Sequence, residues 1–114
     1  VTAMDAATLD HRREYVNRRN HACYDNGVTP EAFDAACRAL LGEGKHPPAA
    51  WLRAAERVRF RCGRCAGTGM FVTGVLNGQP TGPGGDCFRC GGRGTQGWRD
   101  GRRNRWRDIH QRAY

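Results

Sequence analysis

The chain has 114 residues and a formal net charge of +8, a length that suits one ordinary domain or two very small ones. No apolar run approaches the roughly 18 residues needed to span a bilayer, and the opening stretch VTAMDAATLD has neither the basic start nor the apolar core of a signal peptide. These features exclude a membrane-spanning reading and predict a cytoplasmic protein, where six cysteines point to metal binding or buried thiols rather than a disulfide framework.

Residues 1–57 read as helical. Thr8 is placed to cap a first helix running to about Tyr24, with Leu9, Val16 and Cys23 seven apart on one face and Asn26-Gly27 as its stop. A second helix has Thr29 as N-cap, Pro30 at its first position and Glu31 at the positive end of the helix dipole. Its apolar face is Phe33, Ala36, Cys37, Leu40 and Leu41, and Gly42 ends it. GEGKHPP is a loop. A third helix starts near Pro48 and carries Trp51, Leu52, Ala55 and Val58 on one side.

At Val58 the pattern changes. VRF and MFVTGV read as short strands flanking a first cysteine pair, and LNGQPTGPGGD as a loop dense in Gly and Pro. GTQGW, after a second pair, reads as a strand. The tail DGRRNRWRDIHQRAY reads as an amphipathic helix with Trp106, Ile109 and Ala113 on one face and arginines on the others. The expected fold is a small α+β protein in which residues 1–57 form a helical region, 58–97 a β-hairpin stapled by one zinc, and 98–114 a basic C-terminal helix. The connections are too short to separate independent domains, so the parts are expected to form one unit.

The strongest signal lies in residues 58–97. Cys62, Cys65, Cys87 and Cys90 form Cys-x2-Cys-x21-Cys-x2-Cys, and two Cys-x-x-Cys turns can each offer two thiolates to one tetrahedral Zn²⁺. Gly67 and Gly92 follow the metal turns, where a left-handed backbone is often required. Gly69 and Gly94 let the chain pass close to the partner knuckle. The competing readings are a redox pair or two buried thiol pairs; the doubled motif with matching glycines favours metal.

Cys62-x-x-Cys65-x-Gly67-x-Gly69 and Cys87-x-x-Cys90-x-Gly92-x-Gly94 resemble the repeats of the DnaJ cysteine-rich zinc domain. That family carries four repeats and two zinc ions, so two repeats here imply one zinc per chain. The resemblance covers residues 58–96. It does not extend to the Hsp70-stimulating J-domain, whose His-Pro-Asp is met here only by His46-Pro47-Pro48; it therefore implies a zinc hairpin and gives no ground for Hsp70 co-chaperone activity. The stretch FVTGVLNGQPTGPGGDCFRCGGRG is also similar to small DnaJ-like zinc proteins of bacteriophages and other mobile elements.

Elsewhere, Cys37 on the apolar face of the second helix reads as a core residue. His21, Cys23 and Cys37 form a weaker candidate for a second metal site, and His11, His46 and His110 read as surface residues. Charge is unevenly placed. Residues 1–57 balance eight Lys/Arg against eight Asp/Glu, whereas residues 58–114 hold eleven Arg and three Asp, so the whole excess lies in the cysteine-rich half. Part of it offsets the charge of four metal-bound thiolates; the rest points to an anionic partner, nucleic acid first.

In the tail, Arg99, Arg102, Arg103, Arg105 and Arg107 can meet phosphates, and Trp98 or Trp106 can stack on unpaired bases. The alternative is a solvated helix whose tryptophans pack onto the zinc hairpin. No catalytic constellation is visible: no Ser/His/Asp set, no framed carboxylate pair, no phosphate loop before a helix. The sequence thus predicts a non-catalytic zinc-binding module that binds DNA or RNA, with a protein-interaction module, the hairpin its presenting surface, as the alternative.

Overall fold

The computed structural model describes residues 5–71, 74–77, 79–81 and 84–111. It is an α+β protein. Its helices are α1 (Ala6–Cys23), α2 (Pro30–Leu41), α3 (Pro48–Arg57) and α4 (Trp98–Gln111), with the short strands all falling between α3 and α4.

Asp5, not Thr8, caps α1: its carboxylate accepts the Thr8 amide at 2.7 Å. The inward face of α1 also differs from the expected stripe. Leu9 and Val16 are exposed, while Tyr15 and Ala22, likewise seven apart, join the core. Arginine stems complete that face, which apolar counting overlooks: the Arg18 guanidinium lies 3.9 Å from the Trp98 ring centroid, and Arg19 stands over Tyr15.

The second helix follows its sequence closely. Thr29 Oγ1 accepts the Ala32 amide at 3.1 Å, Pro30 opens the helix, and Gly42 closes it at φ 80°. Phe33 and Cys37 are fully buried, whereas Leu40 is exposed. α3 contributes Ala54 and Ala55, followed by Val58, and Trp51 meets Tyr15 edge to face at 5.7 Å. Phe60 and Trp98 bring the later part of the chain into this same apolar core.

The strands pair antiparallel as successive rungs. β1 (Phe60–Arg61) pairs with β6 (Thr95–Gln96), β2 (Met70–Phe71) with β5 (Gly85–Asp86), and β3 (Gly74–Leu76) with β4 (Gln79–Thr81). The stretch expected to be a plain loop therefore contains β4 and β5. Leu76 stands opposite Gln79 across Asn77-Gly78, with Asn77 at φ 52°. Asn-Gly between two paired runs is a hairpin-turn signal; the Gly and Pro density around it masked the strands. Gly78 itself lies outside the described residues.

α4 begins at Trp98 and turns an unexpected face inward. Trp98, Gly101 and Asn104 are buried, while Trp106 and Ile109 are 61% and 57% exposed; Ala113 lies outside the described residues. The reason is the crossing with α1. A Cβ at Gly101 would land on the carbonyl oxygen of His21, so only glycine allows the two helices to approach this closely. Among the described residues, no helix is long and apolar enough to cross a membrane.

Candidate metal centre and basic face

The repeat in sequence becomes a repeat in structure. The Cys62 amide donates to Gly94 O and the Cys87 amide to Gly69 O, both at 2.9 Å, so each knuckle is tied to the other's last glycine. The Gly69 amide donates to Cys65 Sγ at 3.2 Å, and the Gly94 amide to Cys90 Sγ at 3.3 Å. Gly67 and Gly92 are left-handed, at φ 82° and 83°. A Cβ at Gly69 would come to 2.5 Å from Gly92 O, and one at Gly94 to 2.6 Å from Gly67 O. The glycines thus serve both expected purposes, backbone conformation and close approach.

These contacts bring Cys62, Cys65, Cys87 and Cys90 together, all buried, with the four Sγ atoms within 4.8 Å of one another. The Cys62–Cys87 and Cys65–Cys90 sulfur separations are 3.9 and 3.7 Å. A tetrahedron built on metal–sulfur bonds of about 2.3 Å has edges of about 3.8 Å. The set can hold one metal ion, and four protein ligands leave no open coordination position for a substrate. The thiols are not equivalent. Burial opposes charge at Cys65, but the Gly69 amide and the neighbouring thiols outweigh it and bring the group down to about 6. Burial pushes Cys87 up to about 11.

Around this cluster lies a polar network that sequence reasoning missed. Gln96 and Asn104 are fully buried. The Gln96 side-chain amide donates to Cys62 Sγ and to Asp25 Oδ2, each at 3.1 Å. Asn104 Nδ2 reaches Asp25 Oδ2 at 2.9 Å, Arg89 O at 3.0 Å and Gln96 Oε1 at 3.2 Å. Arg89 makes a two-pronged pair with Asp108 at 2.8 and 3.1 Å, and Tyr24 donates to the same carboxylate. The end of α1, the second knuckle and α4 therefore meet at one buried polar seam. Residues as far apart as Asp25 and Asn104 carry no local motif, so nothing in the sequence announced it.

The predicted phosphate-binding arginines divide into two groups. Arg99, Arg102 and Arg105 are exposed. Arg103 instead donates to the carbonyls of Phe88 and Arg89, at 3.2 and 2.8 Å, and pairs with Asp100; Arg107 reaches Phe88 O at 3.5 Å. Trp106 is on the surface, stacked on His110 with ring centroids 3.9 Å apart, and Trp98 is the tryptophan that fills the core. Trp98, Arg99, Arg102, Arg103 and Trp106 line a groove of about 520 Å³. The local field is positive: burial first, and then Arg105, Arg102 and Arg18, hold His21 below its ordinary value.

His21, Cys23 and Cys37 are not gathered into a ligand set; among the described residues, the four-cysteine group is the cluster that could hold a metal ion. Cys37 sits in the apolar core, where burial raises its thiol to about 11. A scan against protein-family models, a search of curated proteins and a search of solved structures each found no match to the chain. What fold and site define is an α+β frame carrying a closed four-cysteine cluster able to hold one metal ion.

Proposed function

We propose that the protein is a non-catalytic, zinc-stabilised module that binds nucleic acid through the outer face of α4. Four cysteine sulfurs near tetrahedral spacing suit zinc or iron, and the DnaJ-like motif favours zinc. The observation that carries the nucleic-acid reading is the exposure of Arg99, Arg102 and Arg105. They stand three residues apart on one side of the helix, beside an exposed Trp106. Burial first, and then Arg105, Arg102 and Arg18, hold His21 below its ordinary value, in keeping with a positive field on this face.

Metal analysis of the purified protein should find one zinc per chain. Titration with DNA or RNA at low salt should show binding that falls steeply as salt rises, since each neutralised phosphate releases counterion. Replacing Arg99, Arg102 and Arg105 with Gln should weaken binding and flatten the salt slope. If neither nucleic acid binds at high-micromolar protein, the reading fails.

A second reading, a protein partner seated on the hairpin, draws on a different observation. Met70 and Phe88 are 55% and 46% exposed. A hollow of about 540 Å³ lies beside the first knuckle, lined by Val28, Phe60 and Ala66 together with Asn26, Arg61, Cys62 and Gly63.

A further inference from the structure

We propose that the groove on α4 takes a single strand, with an unpaired base stacked on Trp106 and the flanking phosphates on Arg99 and Arg102. This rests on the nucleic-acid reading above and narrows it. Trp98, Arg102 and Trp106 stand four residues apart and form one ridge of the helix. The groove they share with Arg99 and Arg103 has no acidic lining residue. The acid nearest in sequence, Asp100, is buried and already paired with Arg59 and Arg103, at 3.2 and 3.3 Å. The cationic lining is therefore complementary to phosphate.

Trp106 decides between single and double strands. The ring is 61% exposed, and His110 backs it at 3.9 Å. An aromatic ring braced on one side and open to solvent is a stacking platform, and stacking requires a base with a free face. In a duplex those faces are already stacked on one another, so a duplex engages the arginines and leaves Trp106 idle. DNA and RNA single strands share this chemistry and differ at the 2′-hydroxyl.

The test uses the full zinc-loaded chain and fluorescence anisotropy at low salt, with labelled 12-mers of dT, of U, and of a blunt DNA duplex. At least one single strand should bind about tenfold or more tightly than the duplex. Trp106→Ala should cost single-strand affinity on the order of 5- to 100-fold and leave duplex affinity within about twofold. Trp106→Phe should restore most of the loss. Because Trp106 is exposed, its replacement should leave the thermal melt in place, which separates lost stacking from lost fold.

Equal or tighter duplex binding overturns the inference while the broader reading stands. So does a Trp106→Ala variant that binds single strands normally. Failure of all three oligonucleotides to bind removes both.

Discussion

The helical body and the cysteine knuckles are held together by different physics. In the body, Phe33, Cys37, Ala54, Ala55, Val58 and Trp98 are buried against one another, and aromatic rings pack around them. In the knuckles, the buried apolar cluster among the described residues is Cys62, Cys65, Cys87 and Cys90. Apolar burial of ordinary extent can hold the first. The second has four thiols, backbone hydrogen bonds and the polar contacts of the seam with α4, and little described apolar burial to offset the entropy of ordering a hairpin. A metal ion held by the four cysteines would act as that region's core.

Removing the metal should separate the two regions most sharply. Structural zinc contributes about 10–16 kcal/mol in small zinc peptides, more than any side-chain change considered below. Strong chelation, or Cys87→Ser, should abolish the β1–β6 and β2–β5 pairings while most helical circular dichroism survives. Retention of the hairpin's NMR shifts in metal-free protein would show that the contrast is wrong. Acid should act in the same direction. The metal needs thiolates, and Cys87 is pushed up to about 11 while Cys65 is brought down to about 6. Protons then compete more strongly as pH falls, so metal affinity should drop with acidification and rise with alkalinity across that span.

The next effect down lies at the helix crossing. Gly101→Ala puts a methyl group on the His21 carbonyl. Forcing α4 off α1 should cost about 1–3 kcal/mol or more, read as a lower melting temperature with the zinc content unchanged. Gly69→Ala should do the reverse, since its Cβ meets Gly92 O at 2.5 Å from a backbone at φ 75°. That change should weaken metal binding while the helical melt persists. If both variants lose both properties together, the two regions fold as one cooperative unit and the distinction collapses.

The seam between the regions explains which parts were legible in the sequence. α2 was readable because Thr29, Pro30, the Phe33–Cys37 face and Gly42 are local signals that agree with the tertiary outcome. The cysteine cluster was readable because ligand spacing is a covalent constraint that survives any packing detail. The inward faces of α1 and α4 were not. Each uses groups that hydropathy discounts: Arg18 on the Trp98 ring in one, Gly101 and Asn104 in the other. Trp98 is buried and Trp106 exposed for the same reason, because burial on α4 is set by what α1 offers at the crossing. The Gln96–Asn104–Asp25 contacts join residues up to 79 apart, beyond the reach of any local pattern.

That seam yields a prediction of intermediate size. Asn104→Ala leaves Asp25, Gln96 and the Arg89 carbonyl short of a donor. It should cost about 1–3 kcal/mol of stability. Gln96→Leu removes the N–H that reaches Cys62 Sγ at 3.1 Å. Loss of such an outer contact typically lowers metal affinity by about 10- to 100-fold, which competition with a chromophoric chelator can measure. A double-mutant cycle between Asp25, just after α1, and Gln96, in β6, should give a coupling of about 0.5–3 kcal/mol. A value near zero would mean that the knuckle and the helices only touch and do not support each other.

The smallest effect is the most informative about function, because it is read on the face where α1 and α4 meet. His21 is held low by burial first and then by Arg105, Arg102 and Arg18. Its Nδ1 is buried without a hydrogen-bond partner among the described residues, so a proton added there finds no acceptor. The folded-state value lies below the unfolded one, so the unfolded chain takes up this proton first as pH falls. Stability should therefore decrease on acidification from the ordinary histidine value down to the depressed one and level off below it. Replacing Arg102 and Arg105 with Gln should raise the His21 titration midpoint part of the way, because the burial remains. An oligonucleotide on the same face should also raise it, since phosphates cancel the field of those guanidinium groups. By linkage, binding should then take up a fraction of a proton and grow slightly tighter toward pH 6. NMR titration of the His21 ring with and without oligonucleotide measures both. A His21 midpoint that responds to the arginine substitutions but not to a bound oligonucleotide would place the nucleic acid on another surface.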